Sequence, residues 1–346
     1  MIDMFSDTAT QPTPAMREFM MRAPVGDEQL REDPSVNQLQ EMAAALTGKE
    51  AALFLPSGTL CNIISFCLHC ERGDAVILDA HAHPAVSEGG GVAVFANVML
   101  KTIDAPRGRF TAAMARPLIA ERTTHISRTS LISVENTTNP GGGAVWNLDD
   151  LRDLQALAGE HGIHMHMDGA RLMNAVVASG VSAKEFASTV DSVWIDLSKG
   201  LGCPVGAVLC GTSAFIEEAR ILKHRFGGAM RQAGIIAAAG IYAFDHHVER
   251  LADDHANAKL LEAGLGSIDG VELVNGPVET NIVLFRLVGM DGFTVSLGAR
   301  LRERGLIVSQ YAGSTLFRMV THLDVSRQDC ETAIDIIRDV ITNRDA

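Results

Sequence analysis

The alternation of short apolar strands with helical segments is the feature that most constrains how this 346-residue chain can fold. Strands are predicted at 51–55, 75–78, 131–134, 163–167, 193–197 and 205–209. Helices are predicted between them, at 34–47, 59–70, 149–160, 182–188, 213–224 and 231–245. Strands that alternate with helices form βα units, which assemble into a mainly parallel sheet. The expected fold class is therefore α/β with a mainly parallel central sheet.

The pattern changes near residue 245. A long polar helical stretch covers 246–265 and is followed by strands at 271–275, 281–286, 306–309 and 315–320 and by helices at 294–304 and 326–341. This mixed pattern predicts a large domain over 1–245 and a smaller C-terminal α+β domain over 246–346. Two domains also suit the length, since roughly 100–200 residues make one domain.

Charge and composition exclude several classes of function. The chain has 29 Lys+Arg against 42 Asp+Glu, a net charge of −13, with no block of like charges. Such a surface argues against binding to nucleic acid or to an anionic membrane. No uncharged apolar stretch has membrane-spanning length, and the first residues lack the pattern of a signal peptide. The six cysteines form no disulfide framework, and Cys67 and Cys70 have no second pair at zinc-site spacing. We therefore expect a cytoplasmic protein without a structural metal.

A first candidate for binding chemistry is the turn between the strand at 51–55 and the next helix. It carries Ser57, Gly58 and Thr59. The first backbone N–H groups of a helix and its dipole favour an anion such as phosphate. The same residues also make an ordinary helix N-cap. No GxxxxGK[ST] loop and no GxGxxG before a helix occurs in the chain, which argues against a nucleotide site of either type.

A second candidate is the strand at 163–167 and the residues after it. Side chains two apart in a strand share a face, which places His164, His166 and Asp168 together. Two interpretations are open. The three could ligate the metal of a hydrolase, or Asp168 alone could act at the carboxyl end of a parallel strand. Arg171 follows where a metal site needs further ligands, and this cation disfavours a dication.

The third candidate is Lys199, which follows the apolar strand at 193–197 and enters a glycine-rich loop. A lysine with a lowered pKa can form a Schiff base. Asp168 and Lys199 are one βα unit apart, so they can meet at the same edge of the sheet. A phosphate-binding turn, an acid and then a lysine are what pyridoxal 5'-phosphate (PLP) requires. The ordered set therefore predicts a PLP site.

The same residues belong to a longer series of motifs that resembles a known family. The series includes Phe5-Ser6-Asp7-Thr8, Pro56-Ser57-Gly58-Thr59, Ala82-His83, Glu135-Asn136-Thr137, Asp168-Gly169-Ala170-Arg171, Leu197-Ser198-Lys199-Gly200 and Gly228-Ala229-Met230-Arg231. The chain resembles the low-specificity threonine aldolases, in the β-eliminating lyase branch of PLP enzymes with the aspartate-aminotransferase fold. The resemblance extends over nearly the whole length.

The resemblance implies a role for each matching residue. Lys199 would carry the cofactor, Asp168 would pair with its ring nitrogen, and His83 would stack on its ring. For the remaining positions, the expected cofactor-binding residues are Ser57, Gly58, Thr59, Arg171 and, across a subunit boundary, Arg231. The expected substrate-binding residues are Ser6, Arg171 and Arg318. The family pattern also implies a homo-oligomer, a dimer of dimers with shared active sites. His164 and His166 have no family role and are interpreted as core or sheet-face residues.

Two departures from the family pattern fall where the substrate side chain is expected. Leu30 replaces an active-site tyrosine and is followed by Arg31 in place of a glycine. Thr138 replaces a histidine near the β-hydroxyl of the substrate, and Pro84-Ala85-Val86-Ser87 also differs from the usual run. Breaking the Cα–Cβ bond of a β-hydroxy amino acid requires a base for its hydroxyl proton, which threonine cannot provide. His83, or a water that it holds, is the remaining candidate.

The resemblance implies the cleavage of a threonine-like β-hydroxy-α-amino acid to glycine and an aldehyde. The alternative within the same cofactor chemistry is β-elimination by a lyase or dehydratase, with Lys199 removing the Cα proton. Outside it, a metal hydrolase at the His164–His166–Asp168 face and a catalytically silent interaction protein stay open.

Overall fold

The computed structural model describes residues 1–311 and 314–344. Two short parts of the predicted second domain, residues 312–313 and 345–346, lie outside the described residues. The helices are α1 (Pro14–Met21), α2 (Pro34–Thr47), α3 (Gly58–His69), α4 (His83–Val86), α5 (Ala112–Ala115), α6 (Leu148–His161), α7 (Leu172–Ser179), α8 (Ala183–Ser188), α9 (Ser213–Arg225), α10 (Gly234–His246), α11 (Leu251–Leu265), α12 (Asp291–Glu303) and α13 (Arg327–Thr342). The strands are β1 (Ile2–Asp3), β2 (Ala51–Leu55), β3 (Ala75–Asp79), β4 (Met99–Ile103), β5 (Thr129–Glu135), β6 (His164–Gly169), β7 (Ser192–Asp196), β8 (Ala207–Gly211), β9 (Val271–Val274), β10 (Ile282–Leu287), β11 (Leu306–Ile307), β12 (Ser309–Gln310) and β13 (Leu316–Val320).

A seven-stranded sheet with the order β2-β8-β7-β6-β5-β3-β4 forms the centre of the fold. Neighbouring strands are parallel except where β8 pairs with β7 and with β2. Only residues 197–206 connect β7 to β8, too short a link for the helical crossover that parallel strands need. The mainly parallel α/β sheet expected from the sequence is confirmed, and β8 is its one reversed strand.

The predicted helix α2 shows how local sequence sets the boundaries. Asp33 caps it by accepting a hydrogen bond from the backbone N–H of Val36, and Pro34 occupies its first turn. Gly48 ends it in the left-handed conformation, with φ of 66°. By contrast, the polar helix predicted over 246–265 is shorter. It begins at Leu251, because α10 continues to His246 and a turn separates the two helices.

A second sheet, with the order β12-β13-β10-β9, packs with α11, α12 and α13 around a separate hydrophobic core. The N-terminal residues belong to this part of the molecule as well. β1 pairs in parallel with β11, and the buried side chain of Met4 joins the second core. The N-terminal segment thus runs from the C-terminal sheet to the central one, and the domain division at residue 245 stays a prediction.

Among the described helices, none is both long enough and apolar enough to cross a membrane.

The strand β6 buries one of its two histidines without a charged partner. His166 is fully buried, with Nδ1 2.8 Å from the Ser192 hydroxyl and Nε2 3.2 Å from the side-chain oxygen of Asn62. Burial lowers the pKa of His166 to about 3. The folded protein therefore holds this imidazole neutral at pH values where the unfolded chain protonates it.

We expect this histidine to make the protein acid-sensitive. Between the unfolded pKa near 6.5 and the folded value, stability falls as the pH falls, by up to about 1.4 kcal/mol per pH unit. His166→Gln should therefore reduce the loss of unfolding free energy between pH 7 and pH 5 by about 2 kcal/mol. Urea unfolding at the two pH values measures this, with the exposed His161→Gln as control. An equal loss in His166→Gln and the wild type would contradict the assignment.

Candidate active site

The carboxyl ends of three neighbouring strands form the floor of a cavity of about 490 Å³. Glu135 ends β5, Asp168 lies near the end of β6, and Asp196 ends β7. Parallel strands present such ends at one edge of a sheet, where α/β proteins bind ligands. The volume lies within the roughly 300–1,000 Å³ of small-molecule sites. Eight of the ten residues predicted from the sequence line the cavity, namely Ser6, Gly58, Thr59, His83, Asp168, Arg171, Lys199 and Arg318.

The first turn of α3 forms one wall of the cavity. Ser57 caps the helix, with its hydroxyl oxygen accepting from the N–H of Leu60 at 3.3 Å. A Cβ at Gly58 would lie 2.2 Å from the Trp194 ring, so this close approach requires glycine. Gly58 and Thr59 face the cavity with the N-terminal end of a 12-residue helix, a favourable place for phosphate. The Ser57 hydroxyl serves the cap and does not line the cavity.

Asp168 is almost fully buried, and an amide from α3 fixes its orientation. The side-chain N–H₂ of Asn62 donates to Asp168 Oδ2 at 2.9 Å and to Glu88 Oε1 at 2.7 Å. The indole N–H of Trp194 donates to Asn62 Oδ1 at 2.8 Å, which fixes the amide in turn. The sequence analysis missed Asn62. Its signal is a polar residue one turn after Gly58 in an otherwise apolar helix.

Lys199 lies in the loop between β7 and β8. Its Nζ is 2.9 Å from Asp196 Oδ2 and 5.9 Å from the centre of the Trp194 ring. Asp196 also accepts from the N–H of Ser198, which fixes the carboxylate beside the amine. The only lysine that lines this cavity, among the residues that the structure describes, is thus held at the same sheet edge as Asp168.

His83 opens α4 and is tied to two carboxylates that the sequence analysis did not identify. Its Nδ1 lies 2.8 Å from Glu88 Oε1, and its backbone N–H donates to Glu135 Oε2 at 2.9 Å. The hydrogen bond to Glu88 raises the pKa of His83. Burial, together with the charge of Asp168, raises the pKa of Glu135 to about 7. Buried carboxylates therefore crowd the end of the cavity that His83 occupies.

Two arginines lie on the other side of the cavity, and they differ in their partners. Arg171 donates through Nε and Nη2 to Asp7, at 2.8 and 2.7 Å, in a fully buried ion pair. Arg318 donates instead to the side-chain oxygen of Asn139, to the carbonyl of Phe5 and to the Ser309 hydroxyl. No carboxylate pairs with Arg318 within residues 1–311 and 314–344. Arg318 is thus the arginine with charge available for an anionic ligand, whereas the charge of Arg171 is already paired.

Three predicted positions lie outside this cavity. Arg231 is largely exposed and forms an ion pair with Asp27 at 2.7 Å. Leu30 is 66% exposed. Thr138 is buried, but its hydroxyl donates to the carbonyl of Arg107 at 2.9 Å and its neighbour Asn139 lines the cavity. That hydrogen bond turns the Thr138 hydroxyl toward a backbone carbonyl, and the position of Thr138 near the substrate stays a prediction.

The alternative metal site is not assembled in the described part of the chain. His164 is exposed, with Nδ1 3.5 Å from Asp191, whereas His166 is engaged with Ser192 and Asn62. No group of three potential ligands that could hold a metal ion occurs among the described residues.

The donor set of the cavity fits PLP. Four groups surround the same cavity: a helix N-terminus for a phosphate, a carboxylate for a protonated ring nitrogen, an amine for an aldehyde and an accessible imidazole for the ring face.

Comparison with known proteins agrees with this interpretation of the cavity. The family model described as β-eliminating lyase matches residues 3–288. The chain belongs to the β-eliminating lyase family. PLP is the cofactor of this family and fold, which confirms the prediction from the sequence, and the chain is a PLP-dependent lyase.

Curated relatives extend over almost the whole chain. A low-specificity L-threonine aldolase of Escherichia coli is 42% identical over 329 residues, which cover 95% of this chain and 96% of the relative. Low-specificity L-threonine aldolase 1 of Arabidopsis thaliana is 38% identical and covers 95% and 93%.

Solved structures share the fold. Leishmania major threonine aldolase superposes with a TM-score of 0.85 at 20% identity, covering 99% of this chain and all of that one. Sphingomonas wittichii serine palmitoyltransferase gives a TM-score of 0.75 at 18% identity, covering 99% and 87%. The β-eliminating lyase chain therefore has the PLP fold that the sequence predicted.

We predict that Asn62 is required for tight cofactor binding. Asn62→Ala removes the amide that separates and orients the carboxylates of Asp168 and Glu88, and hydrogen bonds to charged groups contribute about 1.5–3 kcal/mol. PLP affinity should fall by about tenfold or more, measured by titrating the apoprotein and following visible absorbance. The control is Ser65→Ala in the same helix, since Ser65 bonds only the carbonyl of Cys61. Equal affinity in Asn62→Ala and this control would contradict the prediction.

Proposed function

We propose that this lyase cleaves a threonine-like β-hydroxy-α-amino acid to glycine and an aldehyde. The observation that carries the proposal is that one cavity brings Arg318, which pairs with no carboxylate of the described residues, together with Lys199, Asp168 and His83. These supply a site for a carboxylate, for the cofactor and for a hydroxyl proton. The names of the relatives support the same reaction.

The residues that bind the α-carboxylate orient the substrate. Arg318 binds the α-carboxylate, with Ser6 beside it and Arg171 held nearby by Asp7. Fixing the carboxylate limits rotation about the bond from nitrogen to Cα, so the residues that bind the carboxylate would decide which bond to Cα can break.

The cofactor residues occupy the opposite side. Lys199 would hold PLP through its amine, Asp168 would keep the ring nitrogen protonated, and Gly58 and Thr59 would bind the phosphate. When bound, PLP withdraws the electron pair that is left at Cα when a bond to that carbon breaks. Positioning and charge at these residues are what the protein itself contributes.

Proton transfer is assigned to His83. The side chain is 38% exposed, so it can reach a substrate hydroxyl directly or through a water. Glu88, fully buried behind it, stabilises the protonated imidazole that forms when the β-hydroxyl loses its proton. Thr138, whose hydroxyl is bonded to a backbone carbonyl, takes no part in this step.

The family description also keeps β-elimination as a candidate, with Lys199 removing the Cα proton. The two reactions give different products. Holoenzyme incubated with L-threonine and L-allo-threonine should release glycine and acetaldehyde. Release of 2-oxobutanoate and ammonia instead would overturn the aldolase proposal and assign Lys199 as general base.

We also propose a homo-oligomer, a dimer of dimers in which two chains share each active site. Three exposed apolar side chains support it, because Val86, Val94 and Phe95 are 59%, 66% and 50% exposed. Arg231 supports it as well, since it lies outside the cavity of its own chain and would bind the phosphate of the neighbouring chain. The unpaired state of all six cysteines supports a reducing, cytoplasmic location.

A complementation experiment tests the shared site. Lys199→Ala and Arg231→Ala are each expected to impair activity. In a mixed dimer, one of the two sites then combines an intact Lys199 with an intact Arg231, so activity should return on co-expression. Lys199→Ala with Asp168→Ala is the control, because both changes affect a chain's own site. No gain over this control would contradict the sharing of the site.

A further inference from the structure

Tyr311, which directly follows β12, lines the active-site cavity beside Arg318. The guanidinium carbon of Arg318 is 5.8 Å from the centre of the Tyr311 ring. The tyrosine side chain is partly buried, and its hydroxyl oxygen is inaccessible to solvent. Within the part of the chain that the structure describes, this hydroxyl meets no acceptor for its proton, and the guanidinium of Arg318 is the side chain that interacts with its oxygen.

A buried hydroxyl without an acceptor is costly and requires an explanation. Leaving one polar group unsatisfied costs about 1–3 kcal/mol, and buried side-chain polar atoms in native proteins are mostly bonded. The cost is removed if a ligand atom provides the missing bond. Because Tyr311 lies on the wall of the substrate cavity, the substrate is the ligand that can provide it.

The electrostatics around Tyr311 select the chemistry of that ligand. Burial raises the pKa of Tyr311, so its hydroxyl is protonated near neutral pH and can donate. The positive charges of Arg318 and Arg171 act on it more strongly than the negative charge of Glu135. A donor in a positive field favours an anion, and the charge of Arg318 has no carboxylate partner among the described side chains.

The geometry of β12 points to the same group. Residues two apart along an extended chain share a face, which puts Tyr311 on the side of Ser309. The Ser309 hydroxyl accepts from Nε of Arg318 at 3.2 Å. Tyr311 thus lies with the residues that bind the guanidinium of Arg318. The imidazole of His83, by contrast, contacts Glu88 on the side of the cavity that α3 and α4 form.

We propose that the Tyr311 hydroxyl donates a hydrogen bond to the α-carboxylate of the amino acid that binds Arg318. Tyr311 thereby adds a neutral, directional contact to the charge of the arginine. The inference rests on the proposed function only in requiring an amino acid as ligand. Glycine, which has a carboxylate and no β-hydroxyl, is sufficient to test it.

The test compares Tyr311→Phe with Tyr242→Phe, the matched change at the other tyrosine of the chain. Tyr242 packs against Phe19 on α1, outside the cavity. The Kd of glycine is measured on the holoenzyme by the change in visible absorbance. KM and kcat for L-threonine are measured in parallel, and thermal midpoints are recorded for the ligand-free proteins.

In Tyr311→Phe, glycine Kd and threonine KM should both rise by about tenfold or more, with kcat within about twofold of wild type. The thermal midpoint should not fall, since the hydroxyl donates no hydrogen bond within the described part of the chain. Tyr242→Phe should leave glycine Kd unchanged.

Three results would overturn the proposal. Unchanged glycine binding with weaker threonine binding would place the contact at the β-hydroxyl. No change in either would mean no substrate contact, and a clear drop in the thermal midpoint would reveal a partner inside the protein. Weaker glycine binding in an enzyme that cleaves no β-hydroxy amino acid would sustain the role of Tyr311 while refuting the proposed function.

Discussion

The crowding of buried carboxylates at one edge of the parallel sheet is the constraint on which the rest of the site depends. Glu135 and Asp168 are register partners on adjacent strands, Asp196 lies two residues beyond the position opposite Asp168 on the next strand, and Glu88 is joined to Asp168 through Asn62. Burial, with the charge of Asp168 added to it, raises the pKa of both Glu88 and Glu135. Everything placed around this edge either donates to these oxygens or brings positive charge.

Hydrogen-bond donors of the protein stabilise these buried carboxylates, and a bound ligand would add to that stabilisation. Asn62 bridges two of the carboxylates, Lys199 pairs with a third, and backbone N–H groups of His83 and Asn139 bind the two oxygens of Glu135. These contacts fix the positions of the carboxylates. Asp168, which accepts from the neutral amide of Asn62, would pair with the protonated ring nitrogen of the cofactor, so the same carboxylate would contribute to binding and to the electronic activation of the ring.

The N-terminal segment connects this edge with the C-terminal sheet. Asp7 accepts two hydrogen bonds from Arg171 and one from Asn281 at 3.2 Å, while the carbonyl of Phe5 accepts from Arg318. Both arginines of the cavity are therefore positioned from one short stretch of chain. A movement of that stretch would displace the carboxylate-binding groups together.

Much of this could be predicted from the sequence because strand ends and helix caps are local signals. Asp168 and Lys199 follow apolar strands directly, and Asp33 and Gly48 mark the ends of α2. Partners brought in by tertiary packing could not be predicted. Asn62 and Glu88 meet Asp168 only when α3 and α4 pack on the sheet, and the direction of the Thr138 side chain depends on the carbonyl of Arg107.

The central claim is that Asp168, oriented by Asn62, keeps the ring nitrogen of the cofactor protonated. Nitrogen-15 NMR of the holoenzyme carrying ring-labelled PLP measures this directly. The account predicts a protonated nitrogen in the wild type from pH 6 to pH 9, and an unprotonated one in Asp168→Asn at the upper end of that range. An unprotonated nitrogen in the wild type near neutral pH would contradict it.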